Sequence, residues 1–68
     1  MAIFSVEKKV LEEHPEVKET AKDLCESVFE SDGHIGFVPR PGSLVTLSIL
    51  LSQKNIVYEV YFDNEQNP

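Results

Sequence analysis

From Leu44 to Phe62 the chain reads as two runs of alternating apolar and polar residues, separated by the polar stretch Ser52-Gln53-Lys54-Asn55. Side chains along a strand point to opposite faces with period two. Val45, Leu47, Ile49 and Leu51 would therefore share one face of a first strand, and Ile56, Tyr58, Val60 and Phe62 one face of a second. Pairing Leu51 with Ile56 gathers all eight on one side. A slip of one residue would bring Glu59 and Asp63 there instead, and unpaired carboxylates are costly to bury. The pattern thus predicts a C-terminal β-hairpin. The competing element is a helix from Leu44 to Lys54, capped by Ser43 and ended by Asn55. Against it stand the strict alternation and the β-branched Val45, Thr46 and Ile49. The hairpin's second face would join Leu50 to Val57 and Thr46 to Tyr61, a half-apolar surface suited to an interface.

The N-terminal half has a different period. Val17, Ala21, Leu24 and Val28 recur at helical spacing, with Cys25 and Phe29 widening the stripe, and Ser31-Asp32-Gly33 supplies a stop. Upstream, Ser5 could cap a helix carrying Val6, Val10 and Leu11. Pro15 would break a single long rod but is well placed at the start of a new helix, so two helices, roughly 6–13 and 15–30, are expected over one kinked one. His34-Ile35-Gly36-Phe37-Val38 reads as a short strand, and Pro39-Arg40-Pro41-Gly42 as a stiff connection ending in a turn. The expected fold is α+β: one or two N-terminal helices packed on a small, about three-stranded antiparallel sheet containing the C-terminal hairpin. It is one domain over 1–68, helical in 5–32, β in 34–63, with a frayed tail at 64–68.

Size and charge narrow the function. Sixty-eight residues form a marginal core that benefits from a staple, a metal or a partner. The one cysteine excludes an internal disulfide and suits a reducing, cytoplasmic compartment. No apolar run is longer than four residues, Ile49-Leu50-Leu51 being typical, so neither a secretory leader nor a membrane span is expected. A net charge of −6 disfavours direct binding of nucleic acid or of an anionic membrane, both of which call for basic patches. Residues 5–32 hold nine acids against four lysines, which makes their surface a candidate dock for a basic protein.

Candidate chemistry is sparse. Cys25 with His14 or His34 could form a thiolate–imidazolium pair, but on an apolar stripe a cysteine usually serves as a small hydrophobe. His14, Cys25, Asp32 and His34 have no recognised metal-ligand spacing, and no cofactor motif is present. Gly33-His34-Ile35-Gly36 matches a G-x-x-G loop of nucleic-acid-binding modules, yet acids rather than cations surround it. Arg40, held between prolines, could meet a carboxylate or phosphate bidentately.

These observations lead to the expectation of a non-enzymatic, acidic protein-binding module: an inhibitor, adaptor or regulatory subunit. Its interaction residues would be Glu19, Asp23, Glu26 and Glu30 on the acidic helix, Arg40, and Leu50, Val57 and Tyr61 on the hairpin. The alternatives are a structural homodimer formed by the hairpin, and a small thiol–histidine enzyme with its site at an interface.

Overall fold

The computed structural model describes residues 1–62; the expected frayed tail at 64–68, and Asp63, lie outside the described residues. The element order is β1 (Ala2–Glu7), α1 (Lys8–Glu12), α2 (Pro15–Asp23), β2 (Cys25–Ser31), β3 (His34–Pro39), α3 (Leu44–Gln53) and β4 (Glu59–Phe62). The α+β class is as expected. The sheet, however, has four antiparallel strands in the order β2-β3-β1-β4. Two β-α-β units thus interleave, each with a strand of the other between its own two, which is the ferredoxin-like, split β-α-β arrangement.

The largest departure lies in the C-terminal third. Residues 44–53 are helical, so the predicted C-terminal hairpin does not exist and Leu50 faces neither Val57 nor Tyr61 across a ladder. Leu47 and Leu51, one helical turn apart, are both fully buried and anchor α3 to the core. The end of α3 is a Schellman motif. The amide of Ile56 donates to the Leu51 carbonyl at 3.0 Å, and that of Asn55 to the Ser52 carbonyl at 3.0 Å. Asn55 takes the left-handed conformation, with φ 58°, and Ile56 is buried with Leu51. A strict alternation of Val, Leu, Ile and Leu is compatible with a helix because Leu47 and Leu51 stand one turn apart on its buried side, with Leu50 beside them, while Val45 and Ile49 fall on the outer side.

A hairpin does exist, but elsewhere. Asp32 (φ 50°) and Gly33 (φ 77°) both have positive φ, the signature of a type I′ turn, and they join β2 to β3. The expected helix 15–30 therefore stops at Asp23. Its supposed last turns, Cys25 to Ser31, form an edge strand. Ser27, Val28 and Phe29 are weak helix formers, and the turn hands them a partner strand. Likewise Ser5 lies inside β1 rather than capping a helix, and the first helix is only Lys8–Glu12. The break before Pro15 is as expected, with Pro15 opening α2.

The core lies between the helices and one face of the sheet. Phe4, Val6, Ile35 and Phe37 from the two central strands meet Leu11, Val17, Ala21, Leu47, Leu51 and Ile56 there, and Cys25 completes the cluster. Tyr58 stacks on Phe4 with ring centroids 5.2 Å apart. Burial of a Phe of this kind contributes about 3 kcal/mol, so the two central phenylalanines dominate the stability of so small a core.

Candidate functional site

Strand alternation that buries Phe4, Val6, Ile35 and Phe37 turns their neighbours to the opposite side, where no described element covers the sheet. The register sets the rows of this open face. One runs Phe29, Gly36, Ser5, Glu59; the next runs Ser31, His34, Glu7; Ile3 pairs with Tyr61 beyond the first. Gly36 has a local role here. A Cβ at this position would overlap the ring of Phe29, so the glycine lets that ring lie flat across β3. Phe29 and Tyr61 are about half exposed, at 45% and 54%.

Between these side chains lies a shallow groove of about 450 Å³, with Ile3, Ser5, Phe29, Gly36, Glu59 and Tyr61 in its lining. A second groove of about 440 Å³ adjoins it, sharing Ser5, His34 and Glu59 and extending to Glu7, Val57 and Tyr58. Tyr61 donates a 2.5 Å hydrogen bond to the Glu59 carboxylate. That bond and the nearby negative charge push the Tyr61 phenol above its ordinary value. His34 Nδ1 donates to the Asp32 carbonyl at 3.1 Å, which fixes the ring at the turn end of the face.

The charges of the molecule are segregated. The four strands carry Glu7, Glu26, Glu30 and Glu59 and no lysine or arginine. All six cations, Lys8, Lys9, Lys18, Lys22, Arg40 and Lys54, lie on the helices or their connections. Both grooves are lined by carboxylates and no cation. By contrast, α2 alternates Glu16, Glu19 and Asp23 with Lys18 and Lys22, and Lys22 lies 3.9 Å from Glu19.

The predicted interaction residues are therefore dispersed. Glu19 and Asp23 are exposed on α2. Glu26 and Glu30 are not on a helix at all, but on the edge strand β2. Glu26 is the extra residue of a β-bulge between Cys25 and Ser27, a device that guards an exposed sheet edge. Glu30 receives a 2.9 Å hydrogen bond from Lys8 Nζ, and this bond together with the Glu30 charge raises the Lys8 pKa. Leu50 is half-buried in the helical layer. Val57 and Tyr61, in contrast, both border the open face. Arg40 is exposed and braces the end of α2: its amide donates to the Leu24 carbonyl at 2.9 Å and its Nε to the Asp23 carbonyl at 3.4 Å. This is the familiar use of a cation at a helix C-terminus. Sequence reasoning missed Ile3, Phe29, Glu7 and Glu59 as companions of Tyr61. The available signals were the alternation Ile3-Phe4-Ser5-Val6 and the Asp32-Gly33 dipeptide.

The thiol–histidine pairing has the wrong geometry. Cys25 opens β2 opposite Pro39, while His34 pairs with Ser31 at the other end, roughly 20 Å away at the rise of a strand. His14 sits before the first residue of α2 and Cys25 just past its end, roughly 15 Å apart at the rise of a helix. The Cys25 thiol is pushed up to about 11 by burial, partly offset by the Arg40 charge, so it remains protonated at neutral pH. Among the described residues, no group of three His, Cys, Asp or Glu side chains is placed to hold a metal ion. No described helix is long and apolar enough to cross a membrane.

Neither family models, nor curated proteins, nor solved structures yield a match to this chain.

Proposed function

We propose that this chain is a non-enzymatic protein-binding module that seats a basic, partly apolar segment of a partner protein on the open face of its sheet. The observation that carries this reading is the combination on one surface of exposed Phe29 and Tyr61 and half-buried Ile3 with Glu7 and Glu59, without a lysine or arginine. Apolar side chains of the partner would fill the groove across Gly36. A lysine or arginine would lie over the Phe29 or Tyr61 ring, where a cation is attracted by the ring quadrupole, with Glu59 in reach. The negative potential would speed the encounter more than it would tighten the complex. A phosphate backbone or an anionic membrane would be repelled by the same field. The acidic surface of α2 is the weaker dock, because Lys18 and Lys22 interrupt it.

The test is titration of the isotope-labelled chain with a short peptide of lysines and arginines interspersed with leucines, followed by amide chemical shifts, with an acidic counterpart as control. The expected result is shifts centred on Ile3, Ser5, Phe29, Gly36 and Tyr61, weakened by added salt and largely abolished in Phe29→Ala. Shifts centred on Glu19 and Asp23 would move the dock to α2, and equal response to the acidic peptide would sink the proposal.

A further inference from the structure

A helix apolar on every side belongs in the interior of something. α3 approaches that pattern, carrying apolar residues on its inner and outer sides with Thr46, Ser48, Ser52 and Gln53 as its polar members, yet only one side of it is covered. Leu47 and Leu51 are fully buried, while Leu44, Val45 and Ile49 are 40%, 64% and 49% exposed. From Pro41 to Gln53 no residue is charged, the longest such stretch in the chain. The uncharged surface continues onto β4. Val60 and Phe62 pair with Phe4 and Ala2, which places them on the helix side of the sheet, and both are exposed. Ala2 in turn shares with Leu44 a surface groove that Glu26 and Arg40 also border. An apolar band thus runs from the outer side of α3 to the free edge of the sheet, away from the open face.

We infer that this band is the interface between two copies of the chain, with α3 packed antiparallel against its counterpart about a two-fold axis. Charge selects the occupant. Each copy carries −6, and among the described residues its carboxylates are spread over α1, α2, their connection, β2 and the open face. Among the described elements α3 is the helix without a carboxylate, so two copies can approach across it without opposing those acids. A basic partner is drawn to the acids and gains nothing electrostatically from α3. Shape agrees: Val45 and Ile49, one turn apart, form a ridge, and the small Ser48 and Ser52 beside them leave room for the matching ridge of a second helix. A two-fold contact uses the same patch twice. Apolar patches on monomers reach roughly a few hundred Å², and a two-fold contact counts its patch twice toward the ~1,200 Å² at which specific interfaces begin.

Sedimentation equilibrium of the full chain, from micromolar to submillimolar concentration and at low and high salt, tests this. The expected species is a dimer that persists or tightens in high salt. Replacing both Val45 and Ile49 by Glu should weaken it roughly 100-fold or more, and so should replacing both by Lys. Mixing the two variants should restore a dimer, because residue 45 of one copy meets residue 49 of the other. Restoration is readable even if either variant alone is less stable, since only complementary association produces it. Tyr61→Glu on the open face should leave the dimer intact, which separates this interface from the proposed peptide groove. A wild-type chain monomeric throughout, a dimer indifferent to the Val45 and Ile49 changes, folded variants that fail to reassociate on mixing, or a dimer lost in Tyr61→Glu would each overturn the proposal.

Discussion

Phe29 and Phe37 belong to the same hairpin, on adjacent strands, and have opposite fates. Phe37 is completely buried between sheet and helices, whereas Phe29 lies across Gly36 on the uncovered side with nearly half its surface in water. The difference is set by strand parity alone: Phe37 pairs with Val28, and Phe29 with Gly36. The covered face holds the fold together, and its residues have little freedom. The open face buries Val38 but otherwise carries aromatic and acidic groups free to serve a partner. In so small a chain, a sheet covered on one side only offers a way to keep both a core and a binding surface.

The sharpest way to break this comparison is to truncate each ring. Phe37→Ala should cost about 3–5 kcal/mol, enough to unfold much of a marginal domain, while Phe29→Ala should cost about 1 kcal/mol. Urea titrations followed by circular dichroism measure both, and equal losses would mean that the open face is part of the core after all.

The covered side also holds a proton. The Cys25 pKa is raised by burial from 9.0 to about 11 in the folded chain, so the folded state holds its thiol proton more tightly than the unfolded state does. The resulting stability is fully present below pH 9 and is lost as pH rises through about 11, an effect of about 2 kcal/mol at most. Stability measured across that range should fall less steeply in Cys25→Ala than in the parent. The native thiol should react slowly with an alkylating reagent at pH 8 and rapidly once the chain is unfolded.

The turn decides which residues of β2 reach which face. Gly33→Val forces a β-branched residue into a positive φ and should destabilise the fold by about 1–2 kcal/mol. Unaltered thermal unfolding would show that the ladder, and not the turn, sets the register. The smallest effect is confined to the open face. Glu59→Gln should bring the Tyr61 phenol back toward its ordinary pKa, visible in an ultraviolet titration, and leave the folded structure unchanged.

How much of this was legible in the chain differs between the two faces. The class α+β, the strand at His34-Ile35-Gly36-Phe37-Val38 and the helix beginning at Pro15 follow from local pattern. The nature of 44–53 did not, because Val45, Leu47, Ile49 and Leu51 satisfy a period of two while Leu47 and Leu51, with Leu44 and Leu50, satisfy a helix. Only the burial of Leu47 and Leu51 decides between them, and burial depends on the rest of the fold. The signals at its ends marked its bounds: Asn55 takes the left-handed conformation after it, and Ser43 precedes it, although the Ser43 side chain makes no capping hydrogen bond. Asp32-Gly33 fits a helix stop, but it is also the strongest hairpin dipeptide in the chain. Taken as a stop it extends α2 through Phe29 and hides the open face, since a helix there assigns Val28 and Phe29 to one surface when as a strand they occupy two.

The strand order carries a kinetic consequence. β1 lies inside the sheet, and both of its neighbours come from much later in the chain: Phe4 must find Phe37 and then Val60. Only β2 and β3 are joined by a two-residue turn, so theirs is the one ladder that closes cheaply. The ordered path this implies begins with the hairpin around Asp32-Gly33, continues with docking of the N-terminal strand onto β3, and ends with β4 completing the sheet. Until β4 docks, the outer edge of β1 stays exposed, and the strand that supplies the heart of the core is the last to be enclosed.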